Sequence, residues 1–91
     1  MATDDFPKLI DAFDILARKA FAMGAEWQAV HAICQHHEGE QSFDWGHAFC
    51  HRIEGDEWNA DYWYRRAGRQ RPDCSFADEW AAMKTALSPR A

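Results

Sequence analysis

The chain places its chemistry-bearing residues in two overlapping patterns. In the first, His31 and Cys34 stand three residues apart, and so do His47 and Cys50. Residues at that spacing share a helix face. On two antiparallel helices joined by a short turn, two imidazoles and two thiols supply the donor number of a closed tetrahedral zinc site. In the second pattern, His47, His51 and Glu54 follow one another at i, i+4 and i+7 along one side of a helix. His31 can face them from the neighbouring helix, with Gln35 one turn along. An imidazole beside a carboxylate can be oriented by it or made more basic, as in a general acid–base pair. The same three side chains also offer donors to a metal.

Each pattern has a plainer explanation. The spacing His-x2-Cys-x12-His-x2-Cys matches no familiar finger, and the helix lacks the His-Glu-x-x-His order of metalloproteases. His47 and His51 can be boundary histidines bonded to Glu54, a backbone carbonyl or a Tyr hydroxyl. His36 and His37 are expected at the surface, where a helix C-terminus favours imidazolium. A Cys34–Cys50 disulfide is disfavoured, because the two sit about a turn apart in level. No residue is assigned a catalytic role. No cofactor is expected, with zinc the named alternative.

The two patterns overlap because the sequence repeats itself. His31 to Glu40 aligns with His47 to Asp56: His, Ala, Cys, Glu and Gly are identical, and Ile/Phe and Glu/Asp are similar pairs. Trp27 and Phe43 extend the match upstream. Two copies fall short of a solenoid, which takes at least ~3. Shared packing accounts for the repeat cheaply: Ala and Cys let helices approach, and Gly after Glu ends one.

The elements that must position these residues are helices. Alternating apolar and polar runs are missing, whereas helix signals recur with clear punctuation. The fold expected is all-α, a bundle of about five short helices joined by tight Gly-containing turns. The first spans about Phe6 to Met23, capped by Asp4 and Asp5, with Pro7 in its first turn and Leu9, Ile10, Phe13, Leu16, Ala17, Ala20 and Phe21 inward. The second spans about Ala25 to Glu38, with Trp27, Val30, Ile33 and Cys34 inward. The third runs from Ser42 or Phe43 to Glu54, burying Phe43, Gly46, Phe49, Cys50 and Ile53. Asp56 caps a fourth, from Glu57 to Ala67. Ser75 with Asp78 resembles a capping box opening a fifth, which ends at Ala86 or Leu87 and buries Phe76, Trp80, Met83 and Leu87. Residues 1–4 and 88–91 are expected to fray.

Bulk properties narrow the function classes. Ninety-one residues suit one domain, and 47% hydrophobic with 14% aromatic residues suffice for a modest core. A net charge of −5 argues against a nucleic-acid binder. No apolar run approaches the ~20 residues of a membrane span, so no membrane partner is expected. Three Cys without a dense framework, and no leader-like segment after Met1, point to a reducing cytoplasm. Arg65, Arg66, Arg69 and Arg71 form the only basic cluster, either complementing a helix dipole or holding a phosphate or carboxylate.

Glu57 to Gly68 is aromatic nearly all round, with Trp58, Tyr62 and Arg65 on one face and Ala60, Trp63 and Ala67 on another. Such a helix is either surrounded or partly used to bind. Gly55-Asp56, Asn59-Ala60, Trp63-Tyr64 and Ala67 resemble the loop and second helix of a Sel1-like, TPR-related repeat. The resemblance covers one half-unit, and no second copy follows. The longer string His-Arg-x-Glu-Gly-Asp-x-x-Asn-Ala-x-Tyr-Trp-Tyr-Arg-Arg-Ala-Gly, residues 51 to 68, is similar to a small uncharacterised family of microbial helical proteins. That similarity implies a fold and carries no activity with it.

Two functions compete on these grounds. One is a protein-interaction module, self-associating or binding a partner protein through the aromatic helix. The other is a small-ligand or enzymatic pocket lined by His31, His47, His51, Glu54 and Asp56, with Tyr62, Trp63, Tyr64 and Arg65 as its wall. Metal binding by His31, Cys34, His47 and Cys50 is a third. Catalysis stays open, with binding favoured over it.

Overall fold

A computed structural model describes residues 5–87. The proposed fraying of 1–4 and 88–91, and the cap expected from Asp4, fall outside the described residues. Five helices follow in order: α1 (Asp5–Arg18), α2 (Ala25–Gln35), α3 (Gln41–Glu54), α4 (Glu57–Arg66) and α5 (Phe76–Leu87). There is no strand among the described residues. None of the described helices is long and apolar enough to cross a membrane.

Helix α3 is the centre. Every residue from Phe43 to His51 is buried, because α2 and α4 cover it while α1 packs on α2 and α5. Phe13 of α1 joins the layers, stacking on Phe49 at 5.3 Å and on Trp80 at 4.8 Å. Gly46 allows the closest approach. A Cβ there would lie 2.9 Å from Cys34 Sγ and 3.3 Å from Phe13 Cε2. The missing side chain is therefore what lets α2 and α1 rest on α3 at this level.

The helix stops are local. After α3, Gly55 takes φ 88°. Its N–H donates to the Arg52 carbonyl at 3.1 Å, and the Asp56 N–H donates to the His51 carbonyl at 3.0 Å. This pair of bonds turns the chain sharply into α4. Asp56 then caps α4 by accepting from the Asn59 N–H at 3.3 Å, and Ser75 Oγ caps α5 by accepting from the Asp78 N–H at 3.0 Å.

Two expected helix ends fall short. Helix α1 stops at Arg18 rather than near Met23, because Ala20 and Phe21 both adopt φ 56°. Ala20 is consequently exposed rather than inward. The turn swings the Phe21 ring against Phe49 at 5.8 Å and Phe76 at 5.9 Å. Ring burial there offsets the ~1–2 kcal/mol that a left-handed conformation costs a residue with a Cβ. Helix α2 ends at Gln35 rather than Glu38. His37 lies beyond it and is not a surface residue. Its ring stacks on Phe43 at 4.2 Å, while its nitrogens bond Asp5 Oδ2 at 2.6 Å and Glu40 Oε2 at 2.7 Å. Three separate segments meet on that one imidazole.

Candidate functional site

The turn between α2 and α3 sets the two helices side by side, which brings His31 onto the His47–His51 face. Ring centroids lie 4.7 Å apart for His31 and His47, 5.2 Å for His31 and His51, and 5.0 Å for His47 and His51. His31 meets the other two rings edge-on, at 89° and 81°. One ring nitrogen from each of the three lies within 4.8 Å of those of the other two.

Aromatic walls hold these rings. Trp27, one turn before His31 on α2, stacks on it at 4.8 Å and 12°. Its indole N–H donates to the Cys50 carbonyl at 2.9 Å, inside the core, which fixes the ring across α3. Trp63 of α4 stacks on His47 at 4.0 Å and 16°. The Arg66 guanidinium lies 5.2 Å from the Trp63 centroid. Trp27 was legible only as an inward residue; its spacing to His31 is the signal that it is also a wall.

Hydrogen bonding separates the three imidazoles. His51 Nδ1 lies 2.8 Å from Glu54 Oε1. An ionised carboxylate can only accept, so Nδ1 carries the proton and Nε2 of a neutral ring keeps its lone pair. His31 Nε2 and His47 Nδ1 are buried and have no hydrogen-bond partner. Burial, then the neighbouring His31 and His51, push the His47 pKa down to about 3. Burial, then His51, push His31 down as well. At neutral pH both rings are uncharged, and each keeps one nitrogen lone pair.

The remaining candidates divide. Glu54 and Asp56 form the exposed rim, each with a carboxylate oxygen within 4.8 Å of the other and of a His51 nitrogen. Cys34 and Cys50 are fully buried on the core side of the same helices, and they are not part of the three-nitrogen group. Burial raises the Cys50 thiol well above its ordinary range, with Cys34 beside it adding to the effect. Tyr62 and Arg65 face solvent. Tyr64 does not line the site. It is buried in the core with its hydroxyl on Glu79, at 2.6 and 2.8 Å from the two carboxylate oxygens.

Glu79 itself carried no clear sequence signal. Its carboxylate is 3% exposed. It accepts from Arg52 Nη1 at 2.8 Å, from the Trp45 indole at 3.1 Å and from Tyr64. Arg52 also donates to the Cys74 carbonyl. The basic cluster is largely engaged: Arg71 pairs with Asp61 at 2.8 Å and Glu57 at 3.4 Å, and the Arg69 guanidinium lies 3.4 Å from the Trp45 centroid. Comparison with protein-family models, with curated proteins and with solved structures finds no match for this chain.

Proposed function

We propose that this domain binds one divalent transition-metal ion, with zinc as the type case, through His31, His47 and His51. The observation that carries this is the pair of buried nitrogens without partners, His31 Nε2 and His47 Nδ1, inside a cluster of three imidazoles. A buried polar atom left unsatisfied costs ~1–3 kcal/mol. A cation between the rings satisfies both at once, and the rings need lose no proton to receive it. Imidazole suits zinc, copper and nickel, whereas magnesium and calcium require oxygen donors. Glu54 orients His51 from behind, as carboxylates commonly orient metal-bound histidine.

The test is elemental analysis and calorimetric zinc titration of tag-free protein. One ion per chain is expected, lost in His47→Ala and His51→Ala and retained in Cys34→Ala. No binding at one equivalent refutes the proposal. Loss in Cys34→Ala with retention in His51→Ala moves the site to the paired His and Cys residues instead.

A second function is supported by α4. Trp58 is 76% exposed and stacks on Tyr62, itself 37% exposed, at 6.5 Å. Large rings left in solvent suit a protein interface. Sedimentation of the parent chain and Trp58→Ala tests self-association through this face. A monomer in both counts against it.

A further inference from the structure

We infer that the three-histidine site, once it holds zinc, keeps one coordination position for a solvent-derived hydroxide and hydrolyses small uncharged esters. This rests on the metal-binding function proposed above and goes beyond it.

The donor count is the first ground. The group contains His31, His47 and His51, and no fourth Cys, Asp, Glu or His atom among the described residues joins it. Zinc is ordinarily four-coordinate, and sites with three protein ligands take water in the fourth place. The donor type is the second ground. Three neutral imidazoles leave the ion its full charge, whereas the thiols of Cys34 and Cys50, which would reduce it, stay in the core. An ion of that kind turns its bound water into hydroxide near neutral pH.

The surroundings supply positioning and selectivity. Trp27 and Trp63 fix two ligand rings from outside, and Glu54 fixes the third. Carboxylates of Glu54 and Asp56 sit beside His51 at the exposed rim. That local negative charge disfavours a large anionic substrate, which must pass the rim, more than a small ion that ligates the metal directly, and an uncharged carbonyl meets no such barrier. In the reaction the zinc-bound hydroxide oxygen bonds to the ester carbonyl carbon. The bond from that carbon to the alcohol oxygen breaks, and the leaving alkoxide takes the proton of the former hydroxide. The carboxylate departs, and a water fills the vacated position with release of one proton.

The experiment uses the full tag-free chain with one equivalent of zinc and 4-nitrophenyl acetate, read against metal-free protein. A cobalt-substituted sample is titrated with azide in parallel, reading the visible absorption. The expected result is a zinc-dependent rate at least about tenfold above the metal-free protein, together with an azide-dependent spectral change. Both are expected to be lost in His31→Gln, whose ring is only half-buried, with circular dichroism verifying its fold. Stoichiometric zinc with no added rate and no response to azide overturns this inference and leaves metal binding standing. A rate that survives chelator also overturns it. Absence of bound zinc removes both proposals together.

Discussion

Replacing Gly46 by Ala tests how closely the helices that carry the site are packed. The added Cβ would stand 2.9 Å from Cys34 Sγ, about 0.5 Å inside an ordinary contact, and 3.3 Å from Phe13 Cε2. Neither neighbour has room to yield, since Cys34 and Phe13 are both fully buried. Overpacking of this kind costs ~1–3 kcal/mol. Alanine returns up to ~1 kcal/mol in a helix interior, so a net loss of ~1–2 kcal/mol is expected. For a domain of this size that corresponds to a fall in Tm of about 5–15 °C. Urea denaturation followed by circular dichroism measures it, with an unchanged m-value marking a pure stability effect. Cys34→Ala in the same chain removes the sulfur, so the double variant should cost at least ~0.5 kcal/mol less than the two single losses added. Zinc affinity should fall in Gly46→Ala as well, because His31 rides on α2. A variant as stable as the parent, or strict additivity in the double, refutes the packing argument.

Other substitutions probe separate features. Glu79→Ala strands Arg52 and the Tyr64 hydroxyl in the core; a loss of ~3–5 kcal/mol by urea denaturation is expected, and a loss below ~1 kcal/mol contradicts the network. Ala20→Gly relieves a left-handed residue at an exposed position and should raise stability by ~0.5–1 kcal/mol in the same assay. Hydrogen bonds from Asp5 and then Glu40 raise the His37 pKa above its ordinary 6.5. Its contribution is thus fully present below pH 6.5 and is lost as pH climbs through the raised value. Neutral imidazole has one N–H for two carboxylates, so stability should decline on that alkaline side, and His37→Gln should flatten the decline. Glu54→Gln should weaken zinc binding by ~10–100-fold without unfolding the chain; an unchanged titration shows that Glu54 does not orient His51.

Helices were legible where the chain punctuates itself. Gly55 with Asp56, and Ser75 before the fifth apolar stripe, mark boundaries by local chemistry, and α3, α4 and α5 fall within a residue or so of the expected limits. The ends of α1 and α2 were not legible. Nothing in Ala20-Phe21 announces a left-handed turn; distant rings at Phe49 and Phe76 stabilise it. His37 is drawn inward by Asp5, 32 residues earlier in the chain. The spacing of His47, His51 and Glu54 placed them on one face, and His31 faces them. Tyr64 misled because an aromatic ring next to Trp63 on this helix reads as a pocket wall. Its partner, Glu79, is held by residues of α3 and α4, and such a convergence leaves no periodic trace in α5.

The three clustered histidine rings and their walls all lie between residues 27 and 63. The bonds of Trp80 and Lys84 to Asp14 instead span most of the chain. Short loops close sooner and with less entropy lost than long ones. The α2–α4 segment can therefore come together before α1 and α5 meet, with the histidines already near one another. If the proposed site takes up its ion at that stage, the ion stabilises contacts that form early. Its imprint should then appear in the rate of folding more than in the rate of unfolding, so that the site serves as an early scaffold for the rest of the chain as well as a destination within it.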